Sequence, residues 1–258
     1  MSIEVLSLSY AYGKSEVLSD ISLSAGEGEL VSIIGRNGVG KSTLIKCILR
    51  LLTNYKGEIL VNGLNTKRMS VMELASLVAY IPQESSPVFN FSVEDMVLMG
   101  TCPTLGYLSS PAKHQKELAM SALSKLGIEN MKNRYFHQLS GGEKQLVIIA
   151  KALAQGTRIL IMDEPTSNLD FGNQIRIIER ARALCNEGYT VIQCTHNPEH
   201  SYMFSDKVIA LKEGRIMAVG KPDEVLSCDV VSDIYGLELC ESKLYDDKVR
   251  TWIPKSAV

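Results

Sequence analysis

A glycine-rich loop is the feature that most restricts how this chain can fold. The loop spans residues 35–42 and reads GRNGVGKS, which fits the pattern GxxxxGK followed by Ser or Thr. An apolar run at residues 30–34 precedes it, and apolar residues at helical spacing follow it from Leu44. This order of strand, loop and helix is the setting in which such a loop holds phosphate groups. The sequence therefore predicts a phosphate site within an α/β fold.

The residue types in this loop suit a phosphate ligand. Glycines allow backbone N–H groups to turn inward as an anion nest, and the start of the following helix adds positive potential. Lys41 is expected to reach the β and γ phosphates, and Ser42 is expected to ligate Mg²⁺. A glycine-rich turn with no ligand is the alternative interpretation. The predicted nucleotide-binding residues are Gly35, Asn37, Gly38, Gly40, Lys41, Ser42 and Thr43.

A second apolar run, at residues 159–162, ends in two adjacent carboxylates, Asp163 and Glu164. We expect Asp163 to hold Mg²⁺ through water and Glu164 to polarise an attacking water. An acidic pair at a strand end is, taken alone, usually just solvated. The phosphate loop in the same chain makes the catalytic interpretation the better one.

A third segment, LSGGE at residues 139–143, precedes a strongly helical run. Locally it fits a capping box, with Ser140 at the N-cap and Glu143 three residues later. A cap does not require two glycines, whereas a backbone that approaches a phosphate closely does. We therefore predict a second anion site at Ser140, Gly141 and Gly142.

These three motifs, in this order, resemble the ATPase cassette of ABC transporters. The family's other landmarks also fall in order over nearly the whole chain: Gln83 after Ile-Pro, Asp170 in the segment SNLD, and His196 after a strand. Tyr12 matches the aromatic residue that stacks on adenine, with Tyr10 as a close rival. Departures from the common pattern occur at Arg36, Val39 and Asn197.

The resemblance implies an ATPase that uses ATP and Mg²⁺ and works as a homodimer. Lys41 and Ser42 of one copy and the Ser140 helix end of the other would grip the same γ-phosphate. Glu164 would be the general base, and His196 would hold the γ-phosphate. Gln83 would contact Mg²⁺ or water, and Asp170 would tie the two sites across the interface.

The residue pattern predicts a mainly parallel sheet with helices between strands at residues 59–61, 78–81, 159–162 and 191–194. Residues 84–155 are predicted to be a helical subdomain carrying LSGGE, with helices opening at Ser92, Pro111 and Ser140. Residues 1–83 and 156–258 then form the nucleotide-binding α/β core. A hairpin turning at Glu213-Gly214 is expected next, followed by a short helix and a tail. The resemblance adds an N-terminal antiparallel β region.

Composition and sequence pattern argue against several other classes. A net charge of -2 argues against a general nucleic-acid binder and leaves open a local basic patch. No apolar run approaches the roughly 20 residues of a membrane-spanning helix, and the N-terminus lacks a secretory signal, so we expect a cytosolic chain. The six cysteines form no CxxC pair, which predicts small buried residues in a reducing compartment.

Residues 92–100 and 169–174 resemble importers of the iron-siderophore, haem, cobalamin or molybdate type. That resemblance implies two membrane-spanning permease subunits, an extracytoplasmic binding protein, and a peripheral position at the cytoplasmic face of the inner membrane. The alternatives are a soluble ABC ATPase such as a cluster-assembly factor, and a nucleotide-gated scaffold with little turnover.

Overall fold

The computed structural model describes residues 2–83, 90–104 and 113–257. The chain divides into two compact units, one formed by Met1–Arg68 with Ala181–Val258 and the other by Met69–Arg180. Within the described ranges, no helix is long and apolar enough to cross a membrane.

The chain begins in the first unit, passes through the second and returns to the first. The opening segment contains β1 (Ile3–Tyr12), β2 (Ser15–Ala25), β3 (Leu30–Ile34), α1 (Lys41–Ile48), β4 (Lys56–Val61) and β5 (Leu64–Asn65). The central segment contains α2 (Val71–Leu77), β6 (Val78–Ile81), α3 (Val93–Leu98), α4 (Lys113–Leu126), α5 (Gly141–Ala154), β7 (Ile159–Asp163) and α6 (Phe171–Asn186). The closing segment contains β8 (Thr190–Thr195), α7 (Pro198–Phe204), β9 (Lys207–Lys212), β10 (Arg215–Gly220), α8 (Pro222–Val225), α9 (Cys228–Tyr235), β11 (Leu239–Leu244) and β12 (Val249–Pro254).

An antiparallel sheet with strand order β2-β1-β4-β5 opens the first unit. This sheet confirms the predicted N-terminal antiparallel region. It also corrects one assignment, because the strand at residues 59–61 was expected in the parallel sheet and lies in β4 instead. The physical reason is burial: β4 is only partly buried, whereas strands covered on both faces are apolar and buried throughout.

Parallel pairing dominates the remaining sheet structure, as predicted. In the first unit β3 pairs in parallel with both β8 and β9, and β9 joins β10 in the predicted hairpin. In the second unit β6 pairs in parallel with β7. All residues of β3, β7 and β8 are buried and most of them are apolar, as expected for strands covered on both faces.

The second unit confirms two of the predicted helix starts. Ser92 and Ser140 are the N-caps of α3 and α5, and each forms a complete capping box with an acidic residue three positions later. The predicted start at Pro111 lies outside the described residues, and the helix is described from Lys113.

The closing segment is more structured than the expected helix and tail. Two helices, α8 and α9, are followed by an antiparallel hairpin of β11 and β12. Buried side chains from α8, α9 and β11 pack on β3 and β9 in one cluster: Ile34, Val208, Ala210, Val225, Leu226, Val231, Ile234 and Leu239. A segment too short to fold alone is therefore stabilised by burial on the sheet.

The cysteine prediction holds for only half of the cysteines. Cys47, Cys185 and Cys194 are buried, while Cys228 and Cys240 are half-buried and Cys102 is exposed. The absence of a CxxC pair excludes a metal or dithiol motif but carries no information on burial, which for Cys102 is set by the tertiary position of a short 3-10 helix, Met99–Thr104.

Candidate functional site

The glycine-rich loop joins β3 to α1, as predicted. Gly40 is the N-cap of α1 with φ of 109°, and a Cβ there would lie 2.8 Å from Leu18 Cδ2. No other residue type suits this position, because L side chains disfavour that φ and the space is filled. Of the remaining loop residues predicted to bind the nucleotide, Gly35 is buried, and Asn37 and Gly38 are exposed at the tip. The loop is thus open to a ligand at its tip and rigid at its base.

Lys41 lies inside this loop. Its side chain is largely buried, with the residue 4% exposed, and Nζ donates hydrogen bonds to the carbonyl oxygens of Gly35 (2.8 Å) and Arg36 (3.2 Å). Ser42 and Thr43 are half-buried in the first turn of α1. The helix N-terminus, the lysine ammonium and two hydroxyls therefore come together around one loop, an arrangement suited to binding phosphate.

His196 leaves the sheet beside the glycine-rich loop. Ile34 and Thr195 are register partners in the parallel pairing of β3 with β8, so Gly35 and His196 follow the same edge. His196 is exposed, and its backbone carbonyl accepts a hydrogen bond from the Tyr235 hydroxyl (2.7 Å). Asn197 is the N-cap of α7, its side chain accepting from the His200 N–H (2.9 Å). Asparagine in place of the family's usual aspartate at position 197 therefore still caps the helix.

The two candidate adenine-stacking tyrosines lie near the tip of the β1–β2 hairpin. Their rings meet edge to face with centroids 5.0 Å apart. Tyr12 is 49% exposed, whereas Tyr10 is half-buried and desolvation raises its pKa. Tyr12 thus has the more accessible ring.

In the second unit, Gln83 and Glu164 meet at the edge of the β6–β7 pair. Ile81 and Met162 are register partners, so the residues two positions later emerge together. Gln83 Nε2 donates to Glu164 Oε2 at 3.4 Å. Glu164 has φ of 47°, and its carbonyl accepts from the Ser167 N–H (3.1 Å) and hydroxyl (2.9 Å). These bonds stabilise a backbone conformation that is uncommon for glutamate and fix where its side chain begins.

Asp163 is the last residue of β7 and is 5% exposed. Asp163 and the Gln83 amide oxygen in the second unit, and the Ser42 hydroxyl in the first unit, are the predicted oxygen donors. Hard oxygen donors are the ligands that Mg²⁺ prefers, so the chemistry of this set fits that ion.

The LSGGE segment forms the start of α5. Ser140 Oγ accepts from the Glu143 N–H (3.4 Å), and Glu143 Oε2 accepts from the Ser140 N–H (2.8 Å). These bonds, with Arg134 Nη1 donating to Glu143 at 2.8 Å, hold the pKa of Glu143 below its ordinary value. The cap interpretation of this segment is confirmed by geometry, and it does not compete with a second role for the exposed Ser140 and Gly141.

Asp170 and Gly142 share one neighbour, Asn173, that the sequence analysis did not identify. The N–H and the side-chain amide of Asn173 donate to Asp170 at 2.9 and 2.6 Å, which holds the pKa of Asp170 below its ordinary value. A Cβ on Gly142 would lie 2.4 Å from Asn173 Cγ. The contact of Asn173 with Asp170 could have been predicted, because an acidic residue three positions before an N–H donor is a helix-capping signal. No local sequence signal indicates the contact of Asn173 with Gly142.

The structure thus groups the predicted residues in two sets. The first unit carries the glycine-rich loop, Lys41, Ser42, Thr43, Tyr12 and His196, and the second carries Gln83, Asp163, Glu164, Ser140, Gly141, Gly142 and Asp170. Fold and loop define a phosphate-loop nucleotide-binding protein. The family model described as ABC transporter matches residues 18–167, more than half of the chain. The chain therefore belongs to the ABC transporter family, and the prediction of an ABC-type ATPase is confirmed.

Individual proteins agree with this assignment over almost the full length. An uncharacterized ABC transporter ATP-binding protein of Haemophilus influenzae is 39% identical, with 91% of this chain and 89% of that protein covered. The hemin import ATP-binding protein HmuV of Roseobacter denitrificans is 32% identical, with coverage of 93% and 92%. A solved structure described as a metal-chelate type ABC transporter in an inward-facing conformation is 27% identical with a TM-score of 0.88, covering 100% of this chain and 99% of that one.

Proposed function

We propose that this chain is the ATP-hydrolysing subunit of a prokaryotic importer for a metal chelate or oxyanion of the iron-siderophore, haem, cobalamin or molybdate type. The hemin import relative and the metal-chelate transporter support this class, since each matches more than nine tenths of the chain. The alternative of a soluble ABC ATPase such as a cluster-assembly factor has no comparable support among these relatives.

The observation that carries the proposal is the position of Lys41. Its ammonium is held within the loop by the Gly35 and Arg36 carbonyl oxygens. When ATP binds, the ammonium exchanges these carbonyl partners for oxygens of the β and γ phosphates, which are stronger acceptors because they are charged. Asn37, Gly38, Gly40, Ser42 and Thr43 contribute to the same phosphate site, and Tyr12 stacks on adenine.

Hydrolysis uses the second set of residues together with His196. Glu164 is the general base that takes a proton from the attacking water, and Gln83 orients its carboxylate through their hydrogen bond. Ser42, Gln83 and Asp163 would hold Mg²⁺, which would supply positive charge beside the phosphates. His196 donates to the γ-phosphate and keeps it in place.

We further propose that two copies close around two ATP molecules, head to tail. Ser140, Gly141 and Gly142 of each copy bind the γ-phosphate held by the phosphate loop of the other copy. Asp170 contacts the opposite copy and links the two sites. Hydrolysis removes the γ-phosphate bridge, so the dimer opens. Within each copy, we propose, residues 84–155 are the helical subdomain and residues 1–83 and 156–258 are the nucleotide-binding core.

The partners follow from the same class. Two membrane-spanning permease subunits bind the dimer, and an extracytoplasmic binding protein delivers the imported compound to them. The chain then lies peripherally at the cytoplasmic face of the inner membrane. No nucleic-acid partner is proposed, because the net charge of -2 provides no excess of cations for a phosphate backbone.

Replacement of the general base tests the proposal. In the complex with its permease subunits, Glu164→Gln should lower ATP turnover by about 10²–10⁴ and trap ATP on a closed dimer. Glu179→Gln, which neutralises an exposed glutamate on α6, is the control and should turn over ATP at the wild-type rate. A wild-type complex without ATPase activity would refute the function, and an unchanged rate in Glu164→Gln would remove Glu164 from its role.

A further inference from the structure

The C-terminal helix α9 makes a hydrogen bond to the residue proposed to hold the γ-phosphate. Tyr235, the last residue of α9, donates its hydroxyl proton to the backbone carbonyl oxygen of His196 at 2.7 Å. The two residues are 39 positions apart and both belong to the first unit. The contact therefore connects the closing segment of the chain to the loop between β8 and α7.

Core packing fixes the position of the Tyr235 hydroxyl. Val231 and Ile234 of α9 are buried against Ile34 and Ala210 of the sheet, and the Tyr235 ring packs on the same cluster. Gly236 follows in the left-handed conformation, with φ of 66°, and ends the helix directly after the tyrosine. The hydroxyl thus extends from a rigid helix end rather than from a loop.

The peptide group that joins His196 to Asn197 is hydrogen-bonded at both of its polar atoms, at its N–H and, by Tyr235, at its carbonyl oxygen. The Asn197 N–H donates to Thr195 Oγ1 (3.1 Å), and the Asn197 side chain caps α7. The Tyr235 hydroxyl holds the other polar atom of the same peptide group, the His196 carbonyl oxygen, from the closing segment of the chain. A rotation of this peptide would change the direction of the histidine Cα–Cβ bond and displace the imidazole, and small displacements of a group in contact with reacting atoms reduce rates strongly.

We propose that Tyr235 is a positioning residue for ATP hydrolysis, whose hydroxyl fixes the His196 peptide so that the imidazole points at the γ-phosphate. The inference rests on the proposed role of His196. It assigns the closing segment a part in catalysis in addition to its part in the hydrophobic core. The tyrosine acts through His196.

Removal of the hydroxyl alone tests the proposal in the complex of the full chain with its permease subunits. Tyr235→Phe keeps the ring and its packing. We expect kcat for ATP hydrolysis to fall about twofold to tenfold, the range for loss of one hydrogen bond, with the KM for ATP within about twofold of wild type. Tyr202→Phe is the matched control, because the Tyr202 hydroxyl also donates to a backbone carbonyl of the closing segment, that of Asp247 (2.8 Å). Its kcat should equal the wild-type value.

A double-mutant cycle separates positioning from general stability. In a His196→Ala background, measured over long incubations, Tyr235→Phe should cause no further loss of kcat, since the imidazole it positions is gone. A wild-type kcat in Tyr235→Phe, or the same fold-loss with and without His196, would overturn the proposal. A wild-type complex that does not hydrolyse ATP would refute the function itself, before any variant is compared.

Discussion

Gly141 and Gly142 are adjacent at the start of α5, but their replacement by alanine should affect thermal stability differently. Gly142 is buried, and a Cβ there would lie 2.4 to 2.8 Å from three atoms of the Asn173 side chain. Gly141 is exposed, and a Cβ there would meet only Leu169 Cδ2, at 3.3 Å. Because favourable contacts between heavy atoms begin near 3.5 Å, Gly142→Ala forces Asn173 to withdraw by about 1 Å.

The energetic cost of moving Asn173 sets the size of the stability loss in Gly142→Ala. Withdrawal of the Asn173 side chain disrupts its 2.6 Å hydrogen bond to Asp170. Overpacking of a filled site costs about 1–3 kcal/mol, and the Gly→Ala change recovers about 0.4–1 kcal/mol by restricting the unfolded chain. The expected net loss for Gly142→Ala is about 1–2 kcal/mol. In a chain of this size each kcal/mol shifts the midpoint of thermal unfolding by about 2–4 °C.

Thermal unfolding followed by circular dichroism measures this difference. Gly142→Ala should unfold about 2–8 °C below wild type, and Gly141→Ala at or slightly above it. ATP turnover should nevertheless fall in Gly141→Ala, because its methyl group lies at the exposed helix start proposed to approach the γ-phosphate. If Gly142→Ala unfolds at or above the midpoint of Gly141→Ala, the packing argument is wrong. If Gly141→Ala hydrolyses ATP normally, that glycine does not approach the phosphate.

Two further predictions concern stability in the first unit. Burial lowers the pKa of His200, whose Nδ1 has no hydrogen-bond partner among residues 2–83, 90–104 and 113–257, with Glu199 and His196 as the nearby charges. The unfolded chain therefore binds the proton more readily, so stability should decrease as the pH falls below about 6.5. His200→Gln should reduce the change in the thermal unfolding midpoint between pH 7.5 and 5.5. An equally steep pH dependence in the variant would contradict this explanation. Ile234→Ala should lower the free energy of unfolding, measured by chemical denaturation, by about 2–5 kcal/mol, because Ile234 is 2% exposed in the cluster under α9. Val219→Ala, at a site 52% exposed, should leave that free energy nearly unchanged. Equal losses in the two variants would contradict the burial argument.

Local signals account for the parts of the fold that were predicted correctly. The phosphate loop, the helix starts at Ser92 and Ser140, and the hairpin turn at Glu213-Gly214 all depend on residues within a few positions of each other. Capping, left-handed glycines and apolar runs are readable at that range. The catalytic candidates Asp163 and Glu164 were found in the same way, from the strand that precedes them.

Long-range contacts account for the parts that were missed. The strand β4 pairs with β1, about 50 positions earlier in the chain, and no local pattern states which sheet it joins. The closing segment is stabilised because α8, α9 and β11 pack on β3 and β9, which the composition of residues 220–258 does not reveal. The contact of Asn173 with Gly142 and the bond from Tyr235 to His196 also depend on tertiary structure alone.

Sedimentation velocity of the purified Glu164→Gln chain tests the central claim, that ATP joins two copies through the phosphate loop of one and the Ser140 helix end of the other. With MgATP the mass should double from 28.4 kDa, and without nucleotide it should not. A second replacement, Lys41→Ala or Gly141→Asp, should abolish the doubling, because each removes one side of the γ-phosphate contact. A monomer at saturating MgATP, or a dimer that ignores both replacements, would contradict the account.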